Sequence, residues 1–230
     1  MATETELKLL LDTLDDYAKL RRALDELALQ PATEARQVNY YLDTVDRALL
    51  QQKAMVRVRV ADGNAVLTVK LKPRLAGGVV QVAEYERFLD PQHAQPWLTA
   101  PPSRAGLGFD TLGWLVAGGV LAEPLAVDTQ LRVLGAMHNT RRKVHLDGAV
   151  WGLPAGCALM AELDRAHYGT GGEEAERFEL EVEHPQAAEL LPGVEAWLAG
   201  LGVEFRRAEE TKYAQFLRLA GSHAGWGEGG

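Results

Sequence analysis

Charged and apolar residues alternate along seven separate stretches of this 230-residue sequence. Successive side chains of a β-strand point to opposite faces, so each stretch predicts a strand with one charged face and one apolar face. The charged residues of the seven stretches are Glu4, Glu6 and Lys8; Arg57 and Arg59; Lys70 and Lys72; Glu84 and Glu86; Arg141 and Lys143; Glu162 and Asp164; and Glu179, Glu181 and Glu183.

Two architectures accommodate this pattern. A single stretch is typical of a half-buried strand whose charges face water, so a sandwich with solvated charged faces is one hypothesis. Seven stretches that mix acids with bases favour a barrel instead, with the charges in its lumen and with helices covering its apolar outer face. We therefore expect a charged lumen.

Helical spacing of apolar residues predicts the covering helices. These predicted helices cover residues 14–27, 91–98, 107–116 and 209–219. Asp12 or Thr13 is the expected cap of the first of them. Pro185 opens a further predicted helix, which Pro192 and Gly193 should interrupt. We interpret residues 1–220 as one domain, with a crossover near Pro101, and expect the Gly-rich residues 221–230 to form a disordered tail.

Composition excludes several functional classes. The formal charge of −8 makes the chain a poor non-specific binder of nucleic acid or of anionic membranes. The single cysteine excludes an intramolecular disulfide framework. No run of 18 apolar residues and no secretory leader is visible in the sequence. We expect a cytoplasmic monomer or homodimer that acts on a small molecule, without nucleic-acid or membrane partners.

A lumen that holds many charges predicts a charged occupant, because an unpaired buried ion costs several kcal/mol. Arg and Lys side chains suit the oxygens of a phosphate chain. The basic candidates are Lys8, Arg57, Arg59, Lys70, Lys72, Arg141, Lys143 and Lys212. Carboxylates would repel such a chain unless they bind hard cations, Mg²⁺ or Mn²⁺. Together these groups predict a metal-assisted reaction at a phosphoanhydride.

The order of these motifs resembles the CYTH superfamily, the triphosphate tunnel metalloenzymes. The segment Glu4-Thr5-Glu6-Leu7-Lys8 matches the E-x-E-x-K signature of that family. The later motifs that carry the resemblance are Tyr41-Leu42-Asp43-Thr44, Arg57-Val58-Arg59, Thr68-Val69-Lys70, Glu84-Tyr85-Glu86, Thr140-Arg141-Arg142-Lys143, Leu163-Asp164, Glu179-Leu180-Glu181 and Thr211-Lys212-Tyr213. The resemblance spans about residues 1–220, nearly the whole chain.

The resemblance implies an α+β fold built on a closed eight-stranded antiparallel β-barrel, or tunnel, covered by helices. It also implies roles for the charged residues. The implied metal ligands are Glu4, Glu6, Asp164, Glu179 and Glu181. The implied phosphate ligands are Lys8, Arg57, Arg59, Lys70, Arg141 and Lys143, with Lys212 reaching in from the last helix and Glu84 and Glu86 orienting the bases. Glu4, Glu6, Lys8 and Lys212 are the residues expected to carry catalysis.

Residue parity decides between two neighbouring arginines. Arg141 shares a strand face with Lys143, so Arg141 rather than Arg142 is expected in the lumen. The role of Glu162 stays open.

Within this family we favour hydrolysis of inorganic tripolyphosphate to pyrophosphate and phosphate. No cluster of aromatic residues is evident at the lumen-facing positions, so the sequence gives no sign of a site for an organic substituent. The alternatives are a thiamine triphosphatase, a class IV adenylate cyclase and a non-catalytic module that binds polyphosphate or nucleotide.

Overall fold

The computed structural model describes residues 2–99, 131–169 and 174–221. The predicted helix over 107–116, the crossover near Pro101 and residues 222–230 of the expected tail lie outside the described residues.

Nine strands and five α-helices follow one another along the described chain. The strands are β1 (Ala2–Leu11), β2 (Thr33–Asp43), β3 (Ala54–Ala61), β4 (Asn64–Ala76), β5 (Val79–Phe88), β6 (Arg132–Asp147), β7 (Ala158–Gly169), β8 (Glu174–Glu183) and β9 (Phe205–Arg207). The helices are α1 (Leu14–Leu27), α2 (Ala48–Gln51), α3 (Pro91–Thr99), α4 (Ala187–Gly200) and α5 (Lys212–Gly221), with a 3₁₀ turn at Gly148–Trp151.

Eight of the strands close into an antiparallel barrel, as predicted. Their order is β5-β4-β3-β2-β6-β7-β8-β1, and β1 pairs with β5 to complete the ring. The short strand β9, which the sequence analysis did not identify, pairs with β1 at Leu9 to Leu11. Strands from both sides of the 100–130 segment therefore belong to one sheet.

The apolar outer face of the barrel packs against the helices. One cluster joins β1, β7 and β8 to α1 and α4, through side chains such as Leu9, Leu20, Leu163, Leu180 and Leu198. A second cluster joins β2, β3 and β4 to α2 and α3, and its members include Leu42, Leu49, Val56, Leu67 and Trp97. The hypothesis of a sandwich with solvated charged faces is therefore wrong.

The first helix begins as predicted. Thr13 is its N-cap, and its hydroxyl accepts a hydrogen bond of 3.1 Å from the Asp16 backbone N–H. Asp15 and Asp16 lie in the first turn, where the helix dipole favours carboxylates.

The predicted break at Pro192-Gly193 is wrong, because α4 runs unbroken from Ala187 to Gly200. Buried side chains on both sides of the proline, among them Leu190 and Val194, anchor the helix on the barrel. Tertiary packing therefore outweighs the missing backbone donor of Pro192.

No helix in the described ranges is long and apolar enough to span a lipid bilayer.

Candidate functional site

The barrel encloses a cavity of about 390 Å³. Most of the predicted site residues line it. These residues are Glu4, Glu6, Lys8, Arg57, Arg59, Lys70, Glu84, Glu86, Arg141, Lys143, Glu181 and Lys212. Antiparallel register brings them together, since directly paired residues share a face; Lys8 lies opposite Glu181, for example, and Lys70 lies opposite Glu84.

Three carboxylates surround the ammonium group of Lys212, at the start of α5. Its Nζ lies 2.6 Å from Glu179, 2.6 Å from Glu181 and 2.8 Å from Asp164. Asp164 and Glu179 are completely buried and lie behind the cavity wall, where they contact Lys212. Burial alone would raise the pKa of Asp164, but the charges of Arg141 and Lys212 outweigh it and lower that pKa to about 2.

Arg141 links three acidic side chains from β7 and β8. Its guanidinium donates to Asp164 over 2.8 Å and 2.5 Å, donates to Glu181 over 2.6 Å and contacts Glu162. The neighbouring Arg142 faces outward and donates to Asp25 of α1. The alternating strand geometry thus directs these two arginines to opposite faces.

Lys8 is the basic residue of β1 and is almost completely buried. Its Nζ lies 2.6 Å from Glu181 and 3.2 Å from Glu6. Burial by itself would lower the pKa of Lys8, but the Glu181 and Glu6 carboxylates raise it above its usual range. Lys8 therefore stays charged inside the barrel.

Elsewhere in the lumen, acids lie next to one another. Lys70 contacts Glu4 at 2.6 Å and Glu84 at 3.2 Å. Burial raises the pKa of Glu4 to about 7, and its hydrogen bond with Glu84 acts in the same direction. Burial, followed by the charges of Glu4 and other acids, also raises the pKa of Glu183. Negative charge is therefore in excess in this part of the tunnel.

The positive charges of the β3 arginines have fewer carboxylate partners than those of Lys212 and Arg141. Arg59 donates to Glu86 over 3.0 Å, and the Thr68 hydroxyl donates to the same carboxylate over 2.9 Å. Arg57 lies 4.0 Å from Glu86, and its buried Nε has no hydrogen-bond partner among the residues that the structure describes. An unsatisfied buried donor of this kind is available to an anion. On β6, Lys143 lies 2.9 Å from Glu162.

Lys72 departs from the predicted alternation. The register of β4 shifts between Leu71 and Arg74, and Lys72 adopts a left-handed φ of 48°. Its side chain is exposed and does not line the cavity. The bulge adds a residue to the strand and so turns Lys72 out of the expected face.

Several residues that line the cavity were not predicted as site residues. Glu183 continues the acidic alternation of β8, which was a usable signal, and Glu162, whose role was left open, lines the cavity as well. Lys53 gave no signal, because it precedes β3 in a left-handed turn. Tyr41 and Tyr213 were seen only as parts of motifs, and both line the cavity.

The donor chemistry of the tunnel suits a hard divalent cation. In the part of the chain that the structure describes, no group of three or more His, Cys, Asp or Glu side chains is arranged to hold a metal ion. However, Glu4, Glu6 and Glu183 place carboxylates near one another, and burial, followed by the neighbouring negative charges, raises the pKa of Glu183. A cation bound there would relieve the repulsion between these carboxylates, so their oxygen atoms suit a hard divalent cation.

Comparisons with known proteins agree with the architecture. The family model described as the CYTH domain matches residues 2–215. The protein HpAC1 from Hippeastrum, an adenylyl cyclase candidate with a dominant triphosphatase activity, is 27% identical, with a TM-score of 0.74 over 94% of this chain and 95% of its own. A search of curated protein sequences finds no match.

Two further solved structures share the fold. An adenylate cyclase candidate from Bacillus halodurans is 18% identical, with a TM-score of 0.58 over 94% of this chain and 99% of its own. A protein from Pyrococcus horikoshii is 17% identical, with a TM-score of 0.53 over 93% of this chain and 98% of its own.

Proposed function

Because this chain belongs to the CYTH domain family, we propose that its tunnel hydrolyses a triphosphate with the help of a divalent cation, Mg²⁺ or Mn²⁺. The observation that carries the proposal is a cavity lined by basic side chains from five elements, in which the buried Nε of Arg57 has no hydrogen-bond partner within the described ranges. The triphosphatase activity of HpAC1 supports hydrolysis rather than cyclisation.

The basic side chains bind the phosphate chain in this proposal. Arg57 and Arg59, two residues apart on β3, can each donate to two phosphate oxygens, while Lys70 and Lys143 supply point charges. Glu84 and Glu86 hold these bases in place through the contacts with Lys70 and Arg59. Inorganic tripolyphosphate is the smallest substrate that satisfies this set of charges.

Glu4 and Glu6 of β1 would hold the cation together with Glu181 of β8, the strand that pairs with β1. When bound, the cation supplies charge neutralisation and polarises a phosphoryl oxygen. Asp164 and Glu179 were predicted as further ligands, and that stays a prediction. Their present contacts with Lys212 support a positioning role for both carboxylates.

Hydrolysis needs an attacking water and an in-line leaving group. The water oxygen forms a bond to the terminal phosphorus, and the bond from that phosphorus to the bridging oxygen breaks. The electron pair of the broken bond stays on pyrophosphate, and the water loses a proton to a lumen carboxylate. Lys212 and Lys8, which are both charged and buried, stabilise the negative charge that develops.

A non-catalytic binding module is the second hypothesis from the sequence. Anion binding alone does not require acidic strands, which would weaken it, so Glu4, Glu6 and Glu183 favour an enzyme. The cyclase alternative uses the same ligands but requires a ribose hydroxyl as the nucleophile.

Phosphate release from tripolyphosphate by the purified protein, with Mg²⁺ or Mn²⁺, tests the proposal. We expect turnover in wild type and a loss of about 100-fold or more in kcat/KM for Arg57→Ala, because charge stabilisation is lost. Arg142→Ala is the matched control, since Arg142 faces outward, and it should retain activity.

Two outcomes would contradict the proposal. Binding of tripolyphosphate without turnover in either metal would identify a binding module. Cyclic AMP formation from ATP without release of phosphate would identify a cyclase.

A further inference from the structure

Gln215 of α5 is a buried polar side chain behind the wall of the cavity. It is 1% exposed and does not line the cavity itself. Its Nε2 donates a hydrogen bond of 2.9 Å to Oε1 of Glu179, which is completely buried on β8. The amide must present its N–H to this oxygen, because the reversed amide would bring two acceptor oxygens together. Gln215 therefore contributes a hydrogen-bond donor, and not only volume, to the interior of the barrel.

Gln215 and Lys212 contact the same carboxylate from the same helix. They are three positions apart on α5 and so lie on one face of it. The Nζ of Lys212 lies 2.6 Å from Oε2 of Glu179, but this oxygen has no hydrogen-bond partner within the described ranges, so the contact is an ion pair without hydrogen-bond alignment. The hydrogen bond from Gln215 is directional, and it therefore sets the orientation of the Glu179 carboxylate.

Thr211 fixes the backbone from which both side chains project. Its hydroxyl accepts a hydrogen bond of 3.2 Å from the Ala214 N–H, and its carbonyl accepts one of 2.9 Å from the Gln215 N–H. The first turn of α5 is thus capped. A change in the direction of Glu179 would consequently move the Lys212 side chain rather than the helix.

The other two carboxylates around Lys212 have a second cationic partner. Arg141 donates to Asp164 over 2.8 Å and to Glu181 over 2.6 Å. Among the described residues, Lys212 is the only cation in ion-pair contact with Glu179. Glu179 is therefore the one member of this acidic trio that depends on a neutral hydrogen-bond donor for its second contact.

We propose that Gln215 is a positioning residue, whose hydrogen bond to Glu179 keeps the Lys212 ammonium where it acts on the triphosphate. The proposal rests on the function proposed above and adds to it a residue outside the cavity. Without this hydrogen bond, a completely buried carboxylate would be compensated by Lys212 alone. The ammonium would then be drawn toward Glu179 and away from Asp164 and Glu181.

Gln215→Met tests this role, because methionine keeps the length of the side chain and removes the N–H donor. Calorimetry with a non-hydrolysable tripolyphosphate analogue gives the number of intact sites and the dissociation constant. Phosphate release from tripolyphosphate with Mg²⁺, divided by that number, gives kcat per intact site. We expect kcat per intact site to fall by about tenfold or more, since the ammonium is displaced. The dissociation constant should stay within about twofold, because the β3 arginines that bind the phosphates are unchanged.

Leu219→Ala is the matched control for a loss of packing under α5. Leu219 lies on the same helix and packs against the same apolar cluster as Phe216, but it does not line the cavity. This variant should lower Tm and leave kcat per intact site unchanged. If Gln215 only filled space, Gln215→Met would behave in the same way, and that result would overturn the inference.

A crystal structure of the Gln215→Met variant supplies a measurement that does not depend on turnover. We expect the Nζ of Lys212 to lie about 1 Å or more farther from Asp164 or Glu181 than in wild type, a displacement large enough to reduce catalysis. Lys212 in its wild-type position would overturn the inference. Absence of phosphate release from wild type would instead contradict the triphosphatase function, while a displaced Lys212 in the variant crystal would still support the positioning by Gln215.

Discussion

The most deeply buried cations of the tunnel, Lys8, Arg141 and Lys212, are each stabilised by several carboxylates. Lys212 has three carboxylates within 2.8 Å, and Gln215 donates to one of them, Glu179, over 2.9 Å. Burying an ion costs several kcal/mol, so such surroundings are required for the ammonium to stay charged. The motif around Lys212 predicted its presence in the lumen, whereas nothing in the sequence predicted the part played by Gln215.

At Glu4, the negative charge that the proposed function needs destabilises the ligand-free protein. Its pKa rises from 4.5 to about 7 on folding, so the folded state binds an extra proton between these pH values. The stabilising effect of that proton is present below pH 4.5 and is lost as the pH rises through 7. Glu4→Gln should therefore raise the free energy of unfolding at pH 8 by about 1–3 kcal/mol, while abolishing turnover.

Urea denaturation at pH 5 and pH 8 would measure this difference. The increase in the free energy of unfolding that Glu4→Gln causes should be smaller at pH 5 than at pH 8. Glu176→Gln is the control, because the Glu176–Arg165 pair is partly exposed and should change stability by less than about 1 kcal/mol. Equal effects of Glu4→Gln at both pH values would contradict the explanation.

Alternation identified the charged lumen residues wherever a strand keeps its regular geometry. It failed at Lys72, because the bulge in β4 changes the face without any signal in the local sequence. It gave no sign of Lys53, which reaches the cavity from a turn rather than from a strand. The prediction fails where the backbone departs from regular strand geometry, because such departures depend on tertiary contacts.

At the scale of secondary-structure elements, charge alternation did not mark β2, and the helix-breaking residues wrongly predicted an interruption of α4. The lumen-facing residues of β2 are neutral, among them Gln37, Asn39 and Tyr41, so no charged stretch marked this strand. Helix α4 continues through its internal proline because its buried side chains pack on the barrel, and Gly193 lies directly against the 3₁₀ turn. A Cβ atom at Gly193 would lie 2.5 Å from the Trp151 carbonyl oxygen.

This contact predicts a large effect of a small substitution. Gly193→Ala should destabilise the protein by about 2–4 kcal/mol, since helix and turn must separate. At Gly200, on the same helix, an added Cβ would meet no atom of the other described residues within 4 Å, so Gly200→Ala should be neutral or stabilise by up to about 1 kcal/mol. Thermal unfolding followed by circular dichroism would measure both variants. A Gly193→Ala variant as stable as wild type would show that the turn is free to move.

At the scale of the whole molecule, alternation over many stretches favoured a barrel with a charged lumen over a sandwich, and the resemblance to the CYTH superfamily implied that eight strands close it. The closing pair β1–β5 and the added strand β9 were not predictable, since pairing partners depend on the three-dimensional path of the chain.

A tunnel with many bases and acids should gain stability from its ligands. Mg²⁺ together with a non-hydrolysable tripolyphosphate analogue should stabilise wild type by about 2.7 kcal/mol at 100 times the dissociation constant. Differential scanning fluorimetry would show the corresponding rise in Tm, and Arg57→Ala should reduce it. A Tm that does not respond to both ligands together would argue against binding in the tunnel.

The position of β1 between β5 and β8 determines when the barrel can close during synthesis of the chain. Its partners are β5, which ends at Phe88, and β8, which ends at Glu183. The ribosome must therefore synthesise the chain through β8 before β1 can pair with both of its neighbouring strands. Until then Glu4, Glu6 and Lys8 lack the neighbouring side chains of β8, so the proposed site is completed only late in synthesis.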